Sequence, residues 1–216
     1  MRDATKFWDG TAVKYAKSPI KDMDSYQYTL ERTISYLKPE HRALELGCGT
    51  GSTALLLAPH VKHITATDLS PNMVAIGQQK ARDAGVENID LHAADIYDAL
   101  IDGPYDVVLG HNLFHLIPDT PKVMRRMFEM VTPGGLFISK TFCRPNKWEK
   151  CGPMLGYMGI RAVLPLMQLI GKAPYVNFMR ISELEQAVTA AGFEIVETGN
   201  YPVAPPSRYI VARKPA

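Results

Sequence analysis

Between residues 40 and 140 the chain alternates short apolar runs with amphipathic stretches, and that alternation restricts the fold more than any other feature. Arg42–Leu46 (RALEL), His63–Thr67 (HITAT), Ile89–Ala93, Tyr105–Leu109 (YDVVL) and Leu136–Phe142 read as strands. The segments Ser52–Ala58, Ser70–Ala84 and Asp119–Met130 read as helices. Ser70 supplies an N-cap oxygen, Pro71 suits the first helical position and Gly85 suits the residue past the end. Strands separated by helices can pair in parallel, with helices covering both faces, so the expectation is an α/β sheet.

The flanks extend this scheme. A helix is expected from about Tyr26 to Leu37, capped by Asp24 or Ser25, with Leu30, Ile34 and Leu37 on one stripe and Pro39 as its stop. Pro133-Gly134-Gly135 is expected as the turn before the fifth strand. Ser182 and Glu185 predict a capping box for a helix ending at Gly192. Phe193–Glu197 and Arg208–Ala212 then follow as strands with no helix between them. The stretch from Cys143 to Arg180 lies outside the alternation and is long for a plain connection, which suggests a lid.

Composition narrows the partners. The 216 residues carry 24 Lys plus Arg against 22 Asp plus Glu, a formal charge of +2, which argues against a general nucleic-acid binder. Cys48, Cys143 and Cys151 are odd in number and one sits in a glycine-rich turn, so a disulfide framework is not expected and a reducing cytoplasm is the simplest setting. No Cys/His cluster has zinc spacing, so no metal is expected. The first residues lack the apolar run of a secretory signal. The segment from Met154 to Ile170, interrupted by Arg161, Pro165 and Gln168, is too short and broken to span a membrane, although it could lie on one.

The chemistry is expected at the first strand–helix junction. Gly47, Gly49 and Gly51 permit positive φ and close backbone approach, and a following helix start presents free N–H groups. Asp68, at the end of the second strand, is placed to accept ribose hydroxyls, as in nucleotide-binding βαβ units. A phosphate-binding Walker loop is excluded because no Gly-Lys-Ser/Thr follows. The Gly-x-Gly-x-Gly spacing also departs from the dinucleotide fingerprint.

Glu45-Leu46-Gly47-Cys48-Gly49-Thr50-Gly51 resembles the first motif of class I S-adenosylmethionine-dependent methyltransferases, with the likeness running over residues 42–142 and more loosely over the whole chain. The nearest likeness is to the small-molecule branch that includes ubiquinone and menaquinone biosynthesis enzymes. The resemblance implies a Rossmann-like, seven-stranded, mostly parallel sheet in the order 3-2-1-4-5-7-6. It implies S-adenosylmethionine as cosubstrate. Asp68 would hold its ribose, Leu69 and Met73 would pack beside it, Asp95 would meet the adenine amine and Ile96 its ring. The turn Gly110-His111-Asn112 would flank the methionine moiety, and Glu45 would orient the glycine loop or the ammonium. Phe7-Trp8-Asp9 and Tyr15 resemble an N-terminal segment that helps close the site.

The implied reaction is in-line attack on a sulfonium methyl, for which alignment and exclusion of water matter most. His111 and His115 are the candidate bases; Asp119 reads as a helix cap. Tyr15 and Tyr26 are expected either to close the donor pocket or to bind the acceptor. Residues 1–40 are expected as a helical cap and 41–216 as the methyltransferase domain, with 143–180 as its substrate-facing insertion. Met154, Met158 and Met167, three of the 10 methionines, fall in that apolar insertion, where flexible side chains suit varied hydrophobic acceptors. A small apolar or amphipathic acceptor is therefore expected, for a monomer or homodimer. The alternatives are a lipid amine at a membrane surface, an RNA or protein substrate, and non-catalytic cosubstrate binding. A short-chain dehydrogenase would need a Tyr-x-x-x-Lys pair on a helix, which is not found.

Overall fold

The computed structural model describes residues 2–98, 103–144, 159 and 163–216, with side chains from residue 4 onward. Helices α1 (Arg2–Lys17) and α2 (Met23–Ile34) precede β1 (Arg42–Leu46), α3 (Ser52–Leu57), β2 (His63–Asp68), α4 (Pro71–Asp83), β3 (Ile89–Ala93) and β4 (Tyr105–His111). Then come α5 (Thr120–Met130), β5 (Val131–Phe142), α6 (Ile181–Ala190), β6 (Glu194–Asn200) and β7 (Ser207–Arg213). The sheet has seven strands in the order β3-β2-β1-β4-β5-β7-β6, as expected. The first five are parallel, and β7 lies antiparallel between β5 and β6.

Strand periodicity builds two cores. Leu44, Leu46, Val108, Phe137 and Ile210 face α5 and α6, whose Val123, Met124, Met127, Leu184 and Val188 are fully buried. Ala43, Ile64, Val107, Leu109 and Ile138 face the other way, beneath α2, α3 and α4, where Leu30, Leu57 and Val74 meet them. The chain reverses direction across the sheet between β1 and β4, which opens a crevice at the carboxyl ends of the strands, the usual place for a ligand in such sheets.

Several boundaries differ from expectation. Helix α2 starts earlier because Asp22 is its N-cap, accepting the Ser25 N–H at 3.0 Å; it ends at Ile34, and Leu37 packs from the turn beyond. Strand β4 continues through Gly110 and His111, which pair with Ser139 and Lys140, so the turn begins only at Asn112 (φ +54°). The Pro133-Gly134-Gly135 turn lies inside β5, where pairing slips between Tyr105/Val131 and Val107/Leu136 and Gly134 takes φ +77°. Helix α6 opens at Ile181, not at a Ser182–Glu185 box: the Glu183 carboxylate accepts the Arg180 N–H at 2.8 Å. A guanidinium has no acceptor, so the reciprocal half of a capping box is not made.

Half of the methionines lie in the core, four of these five away from the insertion. Met73, Met124, Met127, Met130 and Met179 are buried, so much of the methionine content fills the interior. Met154 and Met158, with Lys147, Lys150, Cys151 and Arg161, lie outside the described residues. The two ends of the 143–180 segment meet: the Arg144 N–H donates to the Met179 carbonyl at 2.8 Å, and Arg144 bridges Arg180 in parallel. Residues 163–169 are helical. Among the described residues no helix is long and apolar enough to cross a membrane.

Candidate active site

The carboxyl ends of β1 and β2 form one wall of the crevice. Gly47, Gly49 and Gly51 sit at φ +63°, +55° and +69°. A Cβ on Gly47 would stand 2.7 Å from Leu113 Cδ1, so the turn is fitted to the loop after β4 as well as left-handed. The Cys48 N–H donates to Thr67 at 2.9 Å, tying the turn to β2. Lys80 of α4 bonds Thr50 Oγ1 at 2.8 Å and Ser52 Oγ at 2.9 Å, securing its far side.

Asp68 is bonded on both oxygens. Oδ2 accepts the Gly49 N–H and Oδ1 the Ser70 N–H, each at 2.9 Å. A carboxylate has about four lone-pair sites, so two remain for a ligand. Burial raises the Asp68 pKa and the two amide bonds counter it. Next along the edge, Asp95 Oδ1 accepts the Tyr97 N–H at 3.1 Å in a tight turn. Leu69 and Ile96 are half-buried; Met73 is fully buried in α4.

Helix α1 lies across this wall. Asp9 Oδ1 accepts the Asn72 N–H at 3.1 Å and the Ser70 hydroxyl, whose oxygen in turn accepts the Met73 N–H at 3.1 Å. One carboxylate from α1 thus helps satisfy the exposed amides at the start of α4. Two turns further on, the Tyr15 ring lies 3.5 Å from where a Gly49 Cβ would be. Burial first, then the charges of Asp68 and Glu45, push its phenol pKa up. Tyr26 of α2 bonds Thr53 Oγ1 at 3.3 Å.

The other wall comes from β4, β5 and the loop after β4. Glu45 is 2% exposed; its Oε1 lies 3.4 Å from His111 Nδ1, and its buried Oε2 has no partner. His111 closes β4 beside it. His115 stands apart, in a 3-10 turn with its ring edge-on to Phe142 at 6.3 Å between centroids. Its Nδ1 is buried without a partner, and burial lowers its pKa to about 4. Asp119 is the α5 cap, accepting the Lys122 N–H at 3.0 Å.

Three residues here escaped the sequence reading as site residues. Asp9 carried only a resemblance, with no sign of its partners on α4. Asn177 pins the end of the insertion to the loop after β4: its backbone N–H donates to the His115 carbonyl at 2.6 Å and its side chain to Ile117 at 3.2 Å. Lys140 is buried on β5 with its Nζ against α2. It did leave a signal, as the lone charge in the apolar run Leu136–Phe142.

The family described as "Methyltransferase domain" matches residues 22–198. A malonyl-[acyl-carrier protein] O-methyltransferase of Bacillus cereus is 33% identical over 103 residues, 47% of this chain and 37% of its own length. A ubiquinone biosynthesis O-methyltransferase of Marinobacter nauticus is 27% identical over 201 residues, 90% of this chain and 79% of its own. The chain thus spans well under half of the first relative and most of the second. In fold it resembles a geranyl diphosphate C-methyltransferase of Streptomyces coelicolor A3(2), with TM-score 0.72 and 10% identity, over 99% of this chain and 97% of that one.

Proposed function

The chain belongs to the methyltransferase domain family, the S-adenosylmethionine-dependent class built on this Rossmann-like sheet, and from that premise we propose that it methylates a small, partly apolar acceptor. The observation that carries this reading is the pairing of Asp68 with the orphan oxygen of Glu45. Asp68 keeps acceptor capacity for two vicinal hydroxyls after binding Gly49 and Ser70. The unpartnered Glu45 Oε2 suits a cationic donor such as an ammonium, since a buried acceptor left empty costs about 1–3 kcal/mol.

When bound, S-adenosylmethionine supplies a methyl group on a positive sulfonium. Gly49 and Tyr15 would shape its cradle, and Asp95 and Ile96 would flank the adenine. Leu69 and the α4 start carrying Met73 would lie beside the ribose. Transfer to a hydroxyl acceptor would call for a residue that takes up the hydroxyl proton. His111 serves as that base better than His115. Glu45 orients its imidazole, whereas burial makes His115 a weak proton acceptor.

A second reading, action at a membrane surface, is favoured by the helical segment 163–169. Val163, Leu166 and Leu169 are exposed there, with Ile170 just beyond.

The test is a transfer assay with methyl-labelled donor against phenols, amines, thiols, quinols and phospholipid vesicles, preceded by calorimetric titration of the donor. Donor binding plus label on one acceptor class is expected. Failure to bind S-adenosylmethionine would sink the assignment, and binding without transfer to any acceptor would favour a non-catalytic role.

A further inference from the structure

Helix α1 is joined to the rest of the molecule at few points. Among the described residues, none of its apolar side chains belongs to either core. Trp8, Ala12 and Tyr15 stand at i, i+4 and i+7 on one face; Ala12 is fully buried, whereas Val13 is 64% exposed. Among the described residues, Asp9 makes the hydrogen bonds that leave the helix. Its Oδ1 accepts the Ser70 hydroxyl and the Asn72 N–H at 3.1 Å, and its carbonyl accepts the Asn72 side-chain amide at 3.4 Å.

Ser70 also donates its N–H to Asp68 Oδ1 at 2.9 Å, so one residue separates the Asp9 clasp from the carboxylate assigned to the ribose. Further along α1, the Tyr15 ring lies over Gly49 and within the field of both Asp68 and Glu45. Helix α1 therefore roofs the donor cradle. Its joint to α2 is an exposed run, residues 17–21. Helix α2 is anchored separately, by Tyr26 on Thr53, Thr33 on Tyr209 and Arg32 on Glu197. A helix outside both cores, clasped by one carboxylate and ending in an exposed joint, can swing while the sheet and α2 stay fixed.

We propose that Asp9 is a positioning residue, the latch that closes α1 over the donor and so sets how fast S-adenosylmethionine enters and leaves. This rests on the methyl-transfer reading above. The partners of Asp9 are protein groups alone, so the clasp forms whether the cradle is filled or empty. Entry and exit must both break it. Its loss should therefore speed both and leave affinity nearly where it was. A side chain that touched the donor would behave differently, since its loss would speed exit alone and weaken binding to match.

Stopped-flow fluorescence of the full chain separates these cases, with Trp8 on α1 as reporter and W148F removing the other tryptophan. The slope and intercept of the observed rate against S-adenosylmethionine concentration give association and dissociation. In D9A both should rise about tenfold, the effect of one charge-assisted hydrogen bond, with the calorimetric Kd within about threefold of native. D9N keeps an acceptor without the charge and should fall between. Unchanged rates, or faster dissociation alone, overturn the assignment. Hydrogen exchange without donor is the second measurement. Amides of α1 should exchange about tenfold faster in D9A, while those of β1 keep native rates and show that the fold persists. Alanine favours helix, so faster exchange there reports undocking and not fraying. Equal exchange in the two chains also overturns the latch. A native chain that does not bind S-adenosylmethionine would defeat the methyl-transfer reading instead, and the exchange data would still decide whether Asp9 holds α1 down.

Discussion

The two walls of the crevice are held by different kinds of bonds. On the donor side, the turn after β1 is fastened by short-range, backbone-directed contacts: Asp68 to Gly49 and Ser70, and Cys48 to Thr67. On the acceptor side, the loop after β4 is fastened by residues far away in sequence, with Asn177 on His115 and Ile117, and Thr141 Oγ1 taking the Phe114 N–H at 3.1 Å. It also retains an unmet polar group in His115 Nδ1. A glycine turn set by local backbone geometry, with Asp9 of α1 bonded at its rim, can keep one cosubstrate while the facing wall changes with the acceptor.

The largest effect should come from breaking the donor wall. Asp68→Ala removes the proposed ribose acceptor and strands the Gly49 and Ser70 amides together. S-adenosylmethionine affinity should fall by about a hundredfold or more, on the order of two hydrogen bonds to a charged group. Calorimetry measures this directly. A change below about threefold would mean that the donor is held elsewhere, and the contrast between the walls would collapse.

A smaller effect should separate the walls by pH. His115 has a folded pKa of about 4 against an ordinary 6.5, because burial disfavours its charged form. The unfolded chain therefore binds the extra proton between those values, and stability rises with pH across that window. The contribution is complete above pH 6.5 and is lost as pH falls towards 4. From pH 7 to pH 5 this amounts to about 2 kcal/mol. Urea melts of the native chain should show that loss, and His115→Phe should lose less. Equal losses in both would place the acid sensitivity outside this loop.

Legibility in the sequence follows the same line. Strands β1 and β3 and helix α5 were readable to the residue, because apolar periodicity, Ser/Asp caps and Pro at the first turn are local signals. The left-handed turn at Gly47, Gly49 and Gly51 and the strand-end Asp68 were readable for the same reason. The β4 end and β5 start were not. His111 becomes strand only by pairing with Lys140, and Pro133-Gly134-Gly135 enters β5 only because the sheet absorbs it as a bulge. Asp9 bonding Ser70 and Asn177 bonding His115 each join residues more than 60 positions apart, and nothing in local composition marks such pairs.

The weakest perturbation tests the contrast most sharply. Leu169 is 84% exposed and Leu166 61%, on a helical segment joined to the sheet through Arg144, Asn177 and Met179. Side chains that exposed add little to folding, so replacing both with Glu should shift the urea-derived stability by no more than about 0.5 kcal/mol. Donor affinity should stay where it is, because nothing in the Gly47–Asp68 wall depends on this segment. What should change is behaviour towards apolar partners: sedimentation with phosphatidylglycerol vesicles or turnover of an apolar acceptor should drop, since two charges replace surface available for apolar contact. A loss of more than about 1 kcal/mol would mean instead that the segment packs as core, because only buried apolar groups carry that much. The acceptor wall would then be as rigidly built as the donor wall, and its unmet His115 Nδ1 would need another explanation than an incoming substrate.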